Sequence, residues 1–169
     1  MATKKSLCVV FGILVISAWI LGSAIQAGAE TMKCRTATTA TKEERIAVSD
    51  EERHVLGLRI LQGLAFFENG EIAKLRVHVI YDSIPGKGAQ IISYYVFTFE
   101  DGSTIVTRDQ PLISGTGSAK VTGELIKGTG RFEGIKATTS GTGRSFPQSE
   151  KEAGRLTFEY TLTYTLPTK

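Results

Sequence analysis

The sequence is poor in cysteine. Only Cys8 and Cys34 occur, and Cys8 falls inside an N-terminal apolar run. If that run is removed, one thiol remains and no intrachain disulfide can form, so the fold must rest on its hydrophobic core rather than on staples. Cys34 stands in a polar stretch and reads as an exposed, mobile thiol. Histidine is as scarce: His54 and His78 are far apart, without ligand-like neighbours, and His78 shares a strand face with Lys74 and Arg76. With no cysteine pairs beside them, no metal site is expected. Nucleotide and hydrolase signatures are also missing. Gly128, Gly130 and Gly134 miss the dinucleotide-binding spacing by one residue, no Walker lysine–serine pair exists, and no Gly-x-Ser-x-Gly elbow appears. No cofactor is expected, and no catalytic residue can be assigned.

What the sequence does have begins with residues 1–29. Lys4 and Lys5 precede an apolar run from Leu7 to Leu21, and Ala27-Gly28-Ala29 offers a small-residue cleavage site. This is the pattern of a secretory signal peptide. The run is shorter than the roughly 20 residues that a spanning helix needs, so cleavage near Ala29 is expected, with no stable membrane insertion afterwards. Export places the mature chain in a periplasmic or extracellular setting. Loss of Lys4 and Lys5 lowers lysine plus arginine from 20 to 18 against 17 acidic residues, leaving +1. So small a charge, with no basic run interleaved with aromatics, gives no reason to expect a nucleic-acid partner.

The remaining chain fits one domain of ordinary globular composition, with 18 glycines crowded towards its second half. Residues 30–52 show no clear apolar period and read as a flexible lead-in, with Arg45 to Ser49 as its one strand-like stretch. Residues 53–169 read as an all-β domain. From His54 to Phe67, the residues Leu56, Leu58, Ile60, Leu64 and Phe66 alternate and are assigned to the core face. Asn69-Gly70 marks a hairpin, and Ile72 to Tyr81 returns with Ala73, Leu75, Val77, Val79 and Tyr81 on one face. Ala89 to Glu100 is apolar on both faces at its middle. Asp101-Gly102 makes the next hairpin, and Ser103 to Gln110 runs back. Gly-Thr-Gly recurs at 115–117, 128–130 and 141–143, a constant spacing of thirteen residues that reads as turn and strand in alternation. In the last strand Leu156, Phe158, Tyr160, Leu162, Tyr164 and Leu166 alternate with threonines and Glu159. Seven or eight strands in hairpin order predict a closed antiparallel barrel, which removes exposed edges.

The sharpest corner is Gly128-Thr129-Gly130-Arg131-Phe132-Glu133-Gly134-Ile135. Its glycines provide positive φ, and Phe132 is expected to plug the core. Polar atoms on apolar faces are the better functional clue. Gln62 interrupts the leucine-rich face of the first long strand, Ser93 shares a face with Tyr95 and Phe97, and Tyr160 lies mid-face in the last strand. If these faces point inward, Gln62, Ser93, Tyr95 and Tyr160 would orient a small apolar ligand. The alternative is a barrel filled by side chains, in which these groups satisfy one another or water.

The run Leu125 to Ile135 resembles the Gly-Thr/Ser-Gly-x-Phe-x-Gly turn of the allene oxide cyclase and dirigent barrel superfamily. Gly63 to Gly70 and Phe97 to Ser103 resemble segments of exported bacterial members of that broad group. The resemblance covers roughly residues 53 to 166. It implies an eight-stranded antiparallel barrel, often trimeric in plant members, which cyclise an unsaturated epoxide or steer phenoxy-radical coupling. None of those catalytic residues can be placed on this sequence. Three functions follow as expectations. One is an exported barrel that binds a hydrophobic or aromatic small molecule. Another is a cyclase or isomerase using the same cavity. The third is a structural or protein-binding barrel that forms a homo-oligomer through Ile92, Tyr94 and Val96.

Overall fold

The computed structural model describes residues 29–146 and 152–165. The expected signal peptide therefore lies, but for Ala29, outside the described residues. Eight strands follow in order: β1 (Glu30–Ala47), β2 (Val55–Phe67), β3 (Ile72–Ile84), β4 (Gly88–Thr98), β5 (Thr104–Ile113), β6 (Ser118–Thr129), β7 (Lys136–Phe146) and β8 (Arg155–Thr165). Each pairs antiparallel with its sequence neighbour, and β1 closes on β8. The fold is the all-β, eight-stranded closed barrel expected.

Two strands depart from the reading of the sequence. Much of the supposed lead-in is β1, bonded to β2 from Cys34 to Ala47 and to β8 from Glu30 to Thr39. Its inward side carries Cys34, Thr36 and Thr38, all buried, so the period of two is present but written in small polar side chains. Threonine suits a pleated surface, and Thr38 satisfies its hydroxyl by donating to the Leu156 carbonyl at 3.1 Å. Cys34 is accordingly core rather than mobile: it is 5% exposed, and burial pushes its thiol pKa up to about 12.

The second departure is the core face of β2. Leu61, Ala65 and Phe67 point inward, while Leu56, Leu58, Leu64 and Phe66 are exposed. The hairpin at Asn69-Gly70 pairs Ala65 with Ala73, Gly63 with Leu75 and Leu61 with Val77. Cross-strand partners share a face, so the buried side of β3 dictates that of β2. Leu64 instead pairs with Lys74 and Gln62 with Arg76, both on the wet side. Gln62 is thus exposed on the outer wall.

One end of the barrel is sealed by aromatics. Ring centroids of Phe67 and Phe99 lie 5.2 Å apart, and those of Phe99 and Phe132 lie 4.9 Å apart. Phe132 belongs to a short 3-10 turn, Gly130–Phe132, and is buried as expected of a plug. Arg131 covers it from outside, its guanidinium 4.8 Å from both the Phe99 and Phe132 centroids, and pairs with Glu71 at 2.6 Å. Gly130 adopts φ +61, and a Cβ there would sit 2.8 Å from the Ser103 Cβ, so only glycine fits. The glycine repeat is only partly a turn repeat. Its first copy lies in the turn between β5 and β6 and its second runs from the end of β6 into the 3-10 turn, whereas residues 141–143 lie inside β7.

Candidate functional site

Inward-facing residues change character along the barrel. Beyond the sealed end comes a stack in which Tyr160 lies 5.5 Å from Tyr95 and 5.7 Å from Phe97. The next layer is polar. Asp109 has no solvent exposure. Its Oδ2 accepts hydrogen bonds from Thr107 at 2.5 Å and from Tyr160 at 2.9 Å, and its Oδ1 accepts one from Thr139. Burial raises the Asp109 pKa, and the three hydroxyl donors only partly offset that. Burial also raises the phenol pKa of Tyr95, with the Asp109 carboxylate adding to it. Among the described residues the Tyr95 hydroxyl is buried without a hydrogen-bond partner. An orphan of this kind costs about 1–3 kcal/mol.

Above this layer the barrel opens. A cavity of about 300 Å³ occupies the end opposite the aromatic seal. Its apolar wall includes Leu61, Val79, Ile91 and Leu156, and Ser93 reaches it from the polar layer. Ser93 is the register partner of Asp109 across β4 and β5, so the innermost hydroxyl of the cavity neighbours the buried carboxylate. A larger depression of about 770 Å³ lies on the outer wall, lined by Lys33, Arg35, Lys120 and Glu159. These are exposed charged side chains, so the end cavity is the better candidate for an apolar ligand.

The rim carries charge. In β1 a bulge at Thr41 shifts the register between Ala40 and Lys42, which turns Glu43 inward opposite Arg59. Glu43 Oε1 accepts hydrogen bonds from Arg59 at 2.7 Å, Tyr81 at 2.7 Å and Arg45 at 3.0 Å. Burial pushes the Glu43 pKa up, but these donors, Arg59 foremost, outweigh it and bring the carboxyl down to about 2. The Tyr81 ring fits there because position 57 is glycine; a Cβ on Gly57 would lie 2.0 Å from its Cζ. Nearby, His54 is not the isolated residue that the sequence implies. Its Nδ1 lies 2.5 Å from Asp50 and its Nε2 lies 2.7 Å from Asp82. Carboxylates on both sides favour the doubly protonated ring, and Asp82 and then Asp50 raise its pKa. The pair of contacts ties the β1–β2 connection to the end of β3.

Of the four residues expected to face a ligand, the structure brings together Ser93, Tyr95 and Tyr160. Ser93 lines the cavity, while the two tyrosines lie buried in the layers beneath. Gln62 lies outside and has no part in the cavity. Sequence reasoning missed Asp109, Glu43 and Arg59. Asp109 shares parity with Ile105 and Thr107 on β5, which places it inward; Glu43 gave no such signal because the bulge changes the phase.

Among solved structures, the chain is similar to the pterocarpan synthase dirigent protein GePTS1, with a TM-score of 0.50 and 13% sequence identity over 89% of this chain and 96% of that one. It also matches the pterocarpan synthase dirigent protein PsPTS1, with a TM-score of 0.46 and 11% identity over 83% of this chain and 97% of that one. At such identity the likeness concerns fold: this chain has a dirigent-like eight-stranded barrel. No family model matches the chain, and no curated protein does.

Proposed function

We propose that this protein is an exported barrel that binds a small, largely apolar molecule in its end cavity. The observation that carries this reading is the cavity itself: about 300 Å³, walled by Leu61, Val79, Ile91 and Leu156, with Ser93 at its inner side. Small-molecule sites are typically concave and apolar with a few placed polar groups, and run from roughly 300 to 1,000 Å³. This one lies at the lower end, which favours a compact ligand. Export follows from the N-terminal pattern, and the mature chain acts without a nucleic-acid partner or a cofactor. Native mass spectrometry of protein purified from its own host tests the reading. A bound mass that is lost on denaturation supports it; a bare polypeptide mass that stays unchanged when small apolar compounds are added contradicts it.

A second reading, a cyclase or isomerase, draws on Asp109. Asp109 is a buried carboxyl with a raised pKa; it does not itself line the cavity, but its register partner Ser93 does, and the reading is that a proton passes between Asp109 and a cavity ligand by way of that neighbour. Turnover of an unsaturated epoxide that disappears in Asp109→Asn supports it. The outer wall supports a homo-oligomer as well, since Leu58, Ile80 and Ile92 align there across β2, β3 and β4.

A further inference from the structure

The β1–β2 connection, residues 48–54, is held in a conformation that its own residues do not favour. Ser49 and Arg53 both adopt left-handed backbone, at φ 43 and 60, although neither is glycine. Such residues persist only where their surroundings hold them. Two backbone bonds close the turn, from the Val48 N–H to the His54 carbonyl at 3.1 Å and from the His54 N–H to the Glu51 carbonyl at 3.2 Å. Side chains supply the remaining hold. His54, 9% exposed, sits between Asp50 of the same connection at 2.5 Å and Asp82 of β3 at 2.7 Å. Lys87, from the β3–β4 turn, pairs with Glu51 at 2.6 Å, but both side chains are exposed, where such pairs contribute little. Glu52 and Arg53 pair with each other at 3.5 Å. On the rim, Glu43 is engaged by Arg45, Arg59 and Tyr81. Among the described residues, the His54 ring has no polar partners other than Asp50 and Asp82.

Both contacts need a donor on the ring. A carboxylate only accepts, and a neutral imidazole carries one N–H and one bare lone pair. With the ring doubly protonated, each nitrogen donates. Once the ring loses a proton, one nitrogen faces a carboxylate oxygen lone pair to lone pair, and that contact is given up. Loss of Asp82 unfastens the connection from β3. Loss of Asp50 removes the brace across the two left-handed residues. The chain neighbours of the clamp, Val55 and Ser83, are register partners, and both line the cavity.

We propose that the β1–β2 connection is a strap at the cavity mouth, fastened while His54 is doubly protonated and released when it is neutral. Asp82 and then Asp50 hold the ring's pKa above the ordinary 6.5. Fastening is therefore complete below the ordinary value and is lost as pH rises through the raised one. Histidine is the side chain that ordinarily titrates in this range. Control of ligand entry by the strap rests on the ligand-binding reading above; its release does not.

NMR titration of the His54 ring, combined with hydrogen exchange at the Val48 and His54 amides, tests the proposal on the purified protein without any ligand. Exchange is expressed as protection relative to an unstructured chain, which removes its intrinsic dependence on pH. Protection at both amides should fall as the ring loses its proton, roughly tenfold for each unit by which the ring's pKa exceeds 6.5. The Val55 methyl signals should shift with the same midpoint. His54→Gln should show no such fall. Asp82→Asn keeps the ring but removes one carboxylate, so it should lower the ring's pKa and shrink the fall; it serves if the glutamine variant does not fold. Level protection through the ring's titration, or an equal fall in His54→Gln, overturns the strap and leaves the ligand-binding reading standing. Failure to find a cavity ligand removes the strap's control of entry and leaves the amide measurements as they are.

Discussion

Ser93 and Asp109 face one another across the β4–β5 ladder, one lining the open cavity and the other with no solvent exposure. Both side chains are buried, and of the two only Ser93 borders the cavity. Anything seated against Ser93 lies one strand away from a carboxylate whose neighbours are hydroxyls.

The pH dependence of Asp109 follows from its burial. Its carboxyl pKa is raised above the ordinary value of 3.8. A raised carboxyl favours the folded state while it is protonated. That contribution is complete below the ordinary value and is lost as pH rises through the raised one. Asp109→Asn has no such titration. The melting temperature of the variant relative to wild type should therefore rise between about pH 4 and neutrality. A difference that is flat with pH would show that Asp109 titrates alike in the folded and unfolded chain.

Glu43 should behave in the opposite sense. Its carboxyl is lowered from 4.5 to about 2, so its contribution is present above 4.5 and is lost as pH falls towards 2. Glu43→Gln should be destabilised at neutral pH and approach wild type on acidification. An equal loss at all pH values would mean that the rim is held by shape and not by charge.

At the sealed end, Phe132→Ala should cost about 3–5 kcal/mol in chemical denaturation, from lost burial and a residual cavity. Gly130→Val should also lower the melting temperature, because a β-branched residue resists φ +61 and meets Ser103. A loss below about 1 kcal/mol for Phe132→Ala would sink its role as a plug.

Much of this architecture is legible in the chain, and the failures have specific causes. β3 and β8 were readable because one face is apolar and the other carries Lys74 and Arg76 or a row of threonines. The core face of β2 is ambiguous by period because both its faces are apolar; the polar partners Lys74 and Arg76, paired through Asn69-Gly70, identify its outer side and exclude Gln62 from the cavity. β1 escaped because its inward residues are Cys34, Thr36 and Thr38, whose small size leaves room for Phe67, Phe158 and Tyr160 on the neighbouring strands. Glu43 lies on the opposite parity from those three, and only the bulge at Thr41 explains why it too faces inward. No period-two reading anticipates such a shift.

Export has an inexpensive optical test. Trp19 is the chain's one tryptophan and lies within the expected signal peptide. If residues 1–29 are removed, the mature protein keeps five tyrosines and no tryptophan. Its fluorescence should lack the indole band, and its intact mass should begin at Glu30. An exported product that retains indole emission would refute cleavage.

The central claim is that the end cavity, and not the outer wall, receives an apolar molecule. Methyl-resolved NMR during a titration with octan-1-ol reads both places at once. The account predicts saturable shifts at Leu61, Val79, Ile91 and Leu156, which line the cavity. Methyls of Leu56, Leu64 and Ile72, exposed on the outside, should stay unmoved. Shifts confined to those outer methyls, or no saturable shift anywhere, would contradict it.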